Sequence, residues 1–246
     1  MDSGFYAMCN ALIARKNELD TIAGNLANTN TVGYRGHRDI FSSVLATAQR
    51  NTSPLNDAIN DYGVLQETSL DQRQGSMVRT GNDLDLAVEG PGWLVVQTAS
   101  GRVLTRNGNL QVSAHGQLVT AQGDAVMGER GAIPVVGGGP MSISSDGTIS
   151  VNGAIAGKVK LVELTPGTAP EALGGSYYKV PVGSEVAATH STLRQGMLED
   201  SNVDGIGSMV ALITVQRSAE LAEKALAMLN LDMNKTAAQD LPRVNG

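Results

Sequence analysis

The stretch AGNLANTNTVGYRGHRDIF, Ala23 to Phe41, decides how the rest of the chain is read. Asn25, Asn28 and Asn30 alternate with Thr29 and Thr31, and Gly33-Tyr34-Arg35 follows at once. Asn and Thr side chains compete with the backbone for its own hydrogen bonds, and glycine enters the left-handed region without penalty, so a helix arriving from upstream ends here. Taken alone, the stretch is a helix cap and a loop. Its flanks give it more weight.

Upstream, residues 4–28 carry apolar side chains at Phe5, Met8, Leu12, Leu19, Ile22 and Leu26, with Arg15 in the one missing position of the heptad. That spacing predicts a helix with a seam on one side. Gly24 in its last turns costs about 1 kcal/mol against Ala, so this end needs packing to hold it. The far end of the chain repeats the pattern more cleanly: Leu212, Val215, Ala219, Ala222, Leu226, Leu229 and Met233 follow spacings of three and four. Asp200-Ser201-Asn202 stands ahead of that helix as its expected N-cap. A narrow apolar seam needs a partner. The partners expected here are the two helices for each other, paired as in a coiled coil, and the same ends of neighbouring copies.

Between the helices the pattern changes. Residues 42–80 are polar and weakly patterned, with a short helix expected from Ser43 to Arg50 and a break at Asn51-Thr52-Ser53-Pro54. A connection this long is unusual inside a compact domain. From Thr80 the period becomes two: Leu84, Leu86 and Val88 alternate with Asp85 and Ala87, and Gly92-Trp93-Leu94-Val95-Val96 reads as a buried strand. Turn dipeptides recur at Asn107-Gly108, His115-Gly116, Gln122-Gly123, Asp146-Gly147 and Asn152-Gly153. Asn-Gly and Asp-Gly favour the type I′ turns that join antiparallel strands. The middle is therefore expected to be an antiparallel β domain built of hairpins, with Gly137-Gly138-Gly139-Pro140 as one of its loops.

Composition narrows the classes of function. The 246 residues are 41% hydrophobic but only 3% aromatic, with one Trp, five Tyr and two Phe. Aromatics usually supply much of a core's buried area, so long helices and thin sheets are expected in place of one deep core. The net charge of −6 and the lack of a Lys/Arg run disfavour nucleic acid, whose affinity rests on clustered cations. Cys9 is the single cysteine, which leaves no intrachain disulfide and no Cys-rich zinc site. No apolar run approaches the roughly 20 residues that span a bilayer. Met1-Asp2, the early Asn10 and the late Arg15-Lys16 do not make a secretory signal, so passage out of the cytoplasm would use another route.

The usual catalytic constellations do not assemble. His37, His115 and His190 are dispersed, and no Gly-x-Ser-x-Gly elbow accompanies a serine. Gly153 to Lys158, GAIAGK, is one residue short of a phosphate loop and lies between strands. Asp83 and Asp85 could pair as carboxylates or calcium ligands, but in an alternating strand they belong to its solvent face. No catalytic residue, metal or cofactor is expected.

The ordered motifs resemble the flagellar basal-body rod proteins. Asn25-Leu26-Ala27-Asn28, Asn30-Thr31, Gly33-Tyr34-Arg35 and Phe41 fall on that family's N-terminal signature. Thr80-Gly81-Asn82-Asp83-Leu84-Asp85-Leu86-Ala87-Val88 with Gly90 and Gly92, then Arg106 with Gly108, and Gly116-Gln117-Leu118-Val119 with Gly123, are similar to its middle region. Leu198-Glu199-Asp200-Ser201-Asn202-Val203 and Leu212-Ile213 with Gln216-Arg217 are similar to its C-terminal signature. Within the family the Met1-Asp2 start, the length and the Gln74-Gly75-Ser76 approach to Thr80 are closest to the proximal-rod members, with the distal-rod members next. Gly24, Gly207 and Ala219 depart from the pattern, which has Asn, Glu and Tyr there.

The resemblance implies an axial structural subunit of the rod in the periplasmic space, exported by the flagellar type III apparatus without a cleavable signal. Its partners would be copies of itself and the adjacent rod subunits, with no nucleic acid and no membrane insertion. Its expected α+β fold has residues 1–41 and 198–246 as a helical rod-core domain, 42–80 as an extended connection and 81–197 as the β domain facing outward. The helical ends are expected to order on assembly. The competing classes are a secreted hydrolase or an adhesin built on the β domain. Either would keep its properties without the terminal helices, whereas a rod subunit would lose assembly.

Overall fold

The computed structural model describes residues 2–43, 64–135 and 139–240. Two long helices stand at its ends, α1 (Asp2–Ala27) and α2 (Gly205–Asp240). Between them run β1 (His37–Ser43), β2 (Val64–Leu70), β3 (Met77–Arg79), β4 (Leu86–Glu89), β5 (Trp93–Thr98), β6 (Gly101–Thr105) and β7 (Leu110–Val112). They continue as β8 (Leu118–Thr120), β9 (Ala125–Gly128), β10 (Gly131–Ala132), β11 (Met141–Ile143), β12 (Thr148–Val151) and β13 (Ala154–Lys158). The last are β14 (Leu161–Leu164), β15 (Glu171–Gly174), β16 (Tyr177–Lys179), β17 (Glu185–Ala187), β18 (Thr192–Gln195) and β19 (Met197–Glu199). Beyond Ser43, the helix and break expected up to Pro54 lie outside the described residues, as do Gly137 and Gly138 of the expected loop.

The described chain divides into two compact units. One holds residues 1–26, 37–69 and 204–246, the other residues 27–36 and 70–203. The first contains both helices and the β1–β2 pair. The second, the β unit, is α-free among its described residues and antiparallel as expected. Its large sheet runs β15-β16-β6-β5-β9-β8-β7, with β10 added to β9, β14 to β5 and β17 to β14. A separate sheet β11-β12-β13 and the pairs β18-β4 and β19-β3 complete it.

Strand β5 sits at the centre and explains its own sequence. Leu94 packs into one cluster, with Leu86, Val88, Leu110, Leu118 and Ile149 among its members, while Trp93 and Val95 face a second with Leu104, Val162 and Tyr178. A strand covered on both faces reads as an unbroken apolar run. Two thin cores therefore replace one deep core, in keeping with the scarcity of aromatics.

Three local expectations need correction. Asp85 does not face solvent: it is 3% exposed, its carboxylate accepts from Asn82 Nδ2 at 3.1 Å, and its carbonyl accepts from Gly196 N at 2.8 Å. Ala87 is fully buried as well, so both sides of β4 are covered and polar alternation there does not report exposure. Asp83 is exposed, as expected.

The turns are also mostly not type I′. Ser113–Gln117, Thr120–Asp124 and Ser144–Thr148 each close a three-residue loop whose last residue, Gly116, Gly123 or Gly147, is left-handed. That is a type I turn with a glycine bulge. Only Asn152-Gly153, with φ of 52° and 80°, is type I′ among the five dipeptides. Asn107-Gly108 is no hairpin turn. Gly108 lies so close to the Leu86 carbonyl that a Cβ could not fit between them, and its own carbonyl accepts from Leu86 N at 3.0 Å.

The helix cap moves too. Asp204, not Asp200 to Asn202, caps α2: its Oδ1 accepts from the backbone of Ile206 and Gly207, each at 3.1 Å. The Asn202 amide is instead engaged by the backbone of Gly36, Asp71 and Arg73.

One carboxylate staples the link between β17 and β18. Glu163 Oε1 accepts from Thr189 N at 3.1 Å, His190 N at 2.8 Å and Ser191 Oγ at 2.8 Å. Desolvation alone would raise its pKa, but these donors together with the His190 ring outweigh it and hold the carboxyl below the ordinary glutamate value. Its stabilisation is therefore present above the ordinary glutamate pKa and lost as pH falls through the lower folded value. Urea midpoints measured from pH 6 downward should fall less steeply for Glu163→Gln than for the wild type; equal slopes would reject the staple.

Candidate functional site

Residues 27–36, between α1 and β1 in the chain, form a short strap that belongs to the β unit. Asn25, in the last turn of α1, pairs its side-chain amide with the backbone of His37: Nδ2 donates to the carbonyl at 2.7 Å and Oδ1 accepts from the amide at 2.8 Å. Thr31 Oγ1 donates to Asn28 Oδ1 at 3.1 Å, and Tyr34 N donates to the Thr31 carbonyl at 3.1 Å, so the Asn/Thr run does turn the chain. The local reading of this stretch as a helix terminator holds.

Within the β unit the strap crosses two other passes of the chain, residues 70–76 and 199–203. Gly33 N donates to the Glu199 carbonyl at 2.7 Å, and Asn202 N to the Tyr34 carbonyl at 3.4 Å. Asn202 then ties all three passes: its Oδ1 accepts from Gly36 N at 2.7 Å, and its Nδ2 donates to the carbonyls of Asp71 and Arg73, both at 2.8 Å. Asp71 N donates to the Gly36 carbonyl at 2.7 Å, and Asp200 N to the Ser76 carbonyl at 2.8 Å. An asparagine amide, donor and acceptor on one short arm, suits such a crossing.

Beneath the crossing lies a buried ionic cluster. Arg35, Arg106 and Glu199 are each 2% exposed or less. Glu199 Oε1 lies 2.7 Å from Arg35 Nη2 and accepts from Gly75 N at 2.9 Å, while Oε2 lies 3.1 Å from Arg106 Nη1. Arg106 also donates to the carbonyls of Val88 at 3.1 Å and Gly90 at 2.6 Å, and its guanidinium lies 5.2 Å from the Trp93 ring centre. The Tyr178 hydroxyl accepts from Arg35 N at 2.9 Å, and its ring meets Trp93 edge-on at 5.0 Å. Burial lowers the Arg106 pKa to about 10, with Glu199 opposing and Arg35 adding to that shift, so the group stays charged at neutral pH. Burial raises the Tyr178 phenol to about 12.

The other flagged residues are placed as follows. Leu26 and Val203 are half-buried, Asn30 is exposed, and Ser201 Oγ accepts from Val203 N at 3.3 Å. Phe41 falls in β1, and Leu229 in α2, with their side chains outside those described. Leu12, Leu19 and Ile22 of α1, and Leu212, Ala219, Ala222 and Leu226 of α2, are half-buried; Val215 is buried, and Gln216 and Arg217 are exposed. Arg35, Arg106 and Glu199 stood inside the quoted motifs but drew no role, because nothing in their spacing shows that residues so far apart share one buried pocket. Among the described residues no group of three His, Cys, Asp or Glu could hold a metal, and no helix is long and apolar enough to cross a membrane.

This is a junction of chain passes with no reacting group exposed in it, and known proteins match its pieces. Residues 5–35 match the flagella basal body rod protein family, residues 87–151 the flagellar hook protein FlgE/F/G D1 domain, and residues 194–239 the flagellar basal body rod FlgEFG protein C-terminal family. The chain is 32% identical over 227 residues to the flagellar basal-body rod protein FlgF of Mesorhizobium japonicum, covering 89% of this chain and 90% of the relative. It belongs to the flagellar basal-body rod protein family. A second rod relative, FlgF of Escherichia coli, is 31% identical over 259 residues with 98% of each chain covered. The FlgG rod protein of Agrobacterium fabrum is 31% identical over 237 residues, covering 87% of this rod protein and 90% of the relative. The role is thus structural, in the flagellar basal body, and the family is not enzymatic, which removes the hydrolase reading.

Proposed function

We propose that this rod protein builds the proximal part of the basal-body rod, its terminal helices packing as a coiled-coil-like pair and against those of neighbouring copies. The observation that carries this reading is on α2. Beside the seam of Leu212, Val215, Ala219, Ala222 and Leu226, the helix bears a second apolar stripe of Ile206, Val210, Ile213, Leu221, Met228 and Leu231, each 53–80% exposed. At about 100° per residue the two stripes lie on roughly opposite sides of the helix. A helix apolar on two sides belongs in an interior. Arg217 and Lys224 interrupt the outer stripe and give it charges to match in a partner.

An inner seam for the helical pair and an outer stripe for the next copy make contacts between unlike surfaces, which close into rings or continue as helices. A tube grown this way would carry torque along its axis. Each outer-stripe side chain contributes about 1.5–3 kcal/mol when fully buried, so the assembly depends on a few of them. Passage to the periplasmic space would use the flagellar export apparatus, and the adjacent partners would be other rod subunits. The similarity to FlgG relatives keeps a distal-rod place as the second reading.

The test is complementation of a strain lacking this chain with wild type or with Ile213→Asp/Leu221→Asp. Wild type should restore the rod and swimming. The variant should reach the periplasm with its β unit folded, yet leave the rod unfinished at the point where assembly stops without the chain. Full motility with the variant would refute the helical-contact reading. The stopping point, proximal or distal, separates the two places in the rod.

A further inference from the structure

Arg35, Tyr178, Trp93, Arg106 and Glu199 close a ring of side chains no more than 3% exposed, drawn from the strap, β16, β5, the turn after β6, and β19. The ring holds two guanidinium groups and one carboxylate. The Asp71 carboxylate also favours the charged Arg35, but it is shared with Arg73, which holds it with Nε at 3.0 Å and Nη2 at 2.8 Å. Arg35 Nε and Nη1 are buried and reach no protein acceptor. A buried charge that its partner cannot fully match is costly to keep out of water.

The two arginines do not bear that cost equally. Arg106 keeps Glu199 Oε2, two backbone carbonyls and the Trp93 face whatever the strap does, since all of these belong to residues 88–199. Arg35 has one carboxylate oxygen and sits on the strap. Seating the strap gains the backbone bonds of Gly33, Arg35 and Gly36 to Glu199, Tyr178 and Asn202, and it buries the surplus charge. Lifting it would return Arg35 to water and leave a one-to-one Glu199–Arg106 pair.

We propose that residues 27–36 act as a latch that seats on the β unit and lifts off it as one piece, with Glu199 passing from two arginine partners to one. The device goes beyond the assembly reading and belongs to the isolated chain. Seated, it pins the connection between α1 and β1. Lifted, it leaves that connection free while both cores of the β unit stay folded. Opening of a contiguous segment below global unfolding is the expected behaviour of such a unit.

Amide exchange on the full-length chain at low concentration tests this. The amides of Gly33, Arg35 and Gly36 should exchange together, at least about ten-fold faster than those of Val95 and Val96 in β5. Arg35→Met keeps the bulk and removes the surplus charge from the seated state, so it should slow the strap amides about ten-fold. Strap and β5 amides exchanging at one rate in the wild type would overturn the latch. So would unchanged or faster strap exchange in Arg35→Met. The wild-type comparison decides the matter even if the variant folds poorly.

Discussion

Glu199→Gln should lower the unfolding free energy of the β unit by about 3–5 kcal/mol, the range for removing one partner from a buried ionic group. Gln retains nearly the same shape and can still accept from Gly75 N, so little packing is lost. What goes is the single negative charge between two guanidinium groups that are 1% and 2% exposed. The arginines would then face each other with no carboxylate between them in a medium of low dielectric, where charge interactions are far stronger than in water. Trp93, the chain's only tryptophan, lies against Arg106 and reports the transition by its fluorescence in urea. A loss under about 1 kcal/mol would mean that solvent reaches the cluster and that Glu199 does not hold the crossing. Removing Arg35 instead leaves a matched pair, so the two substitutions should differ in sign as well as size.

Gly33→Ala should unseat the strap. Gly33 has φ of 68°, which costs an L-residue about 1–2 kcal/mol. A Cβ there would also stand 2.3 Å from both the Arg106 carbonyl carbon and the Asn107 nitrogen. Those atoms are backbone, held in place by the turn between β6 and β7, so they cannot swing aside as a side-chain tip would. Overpacking of this kind adds about 1–3 kcal/mol. The combined loss falls on the strap: amides at Gly33 to Gly36 should lose protection while β5 and β6 keep theirs, and rod assembly in cells should weaken. A variant with wild-type protection across the strap would show that residues 27–36 tolerate a shift, contrary to the close contact with Arg106.

Much of the architecture is written in local pattern. The helices α1 and α2, the apolar run at Trp93 to Val96 and the glycine-marked turns each need only a few consecutive residues to be recognised, because helix and strand periodicity repeat within a turn or two. Asn25 to Gly33 ends a helix for reasons carried by its own side chains. The errors fall where a neighbour distant in sequence decides. Asp85 looks exposed by alternation and is buried because Asn82, Asn109 and Gly196 close over it. Asn107-Gly108 looks like a hairpin turn and is instead a place where two backbones touch. Asn202 looks like a helix cap but spends its amide on Gly36, Asp71 and Arg73, which leaves the cap to Asp204.

From the sequence alone, the α+β division, the two terminal helices, the antiparallel middle and the family follow, since each rests on spacing or on ordered motifs. The tertiary structure alone decided that Arg35, Arg106 and Glu199, from three separate motifs, share one buried pocket beneath a crossing of chain passes. Periodicity records which side of an element is apolar. It carries no record of which charged residues, far apart along the chain, must be brought together once water is excluded, and that depends on the packing of the whole β unit.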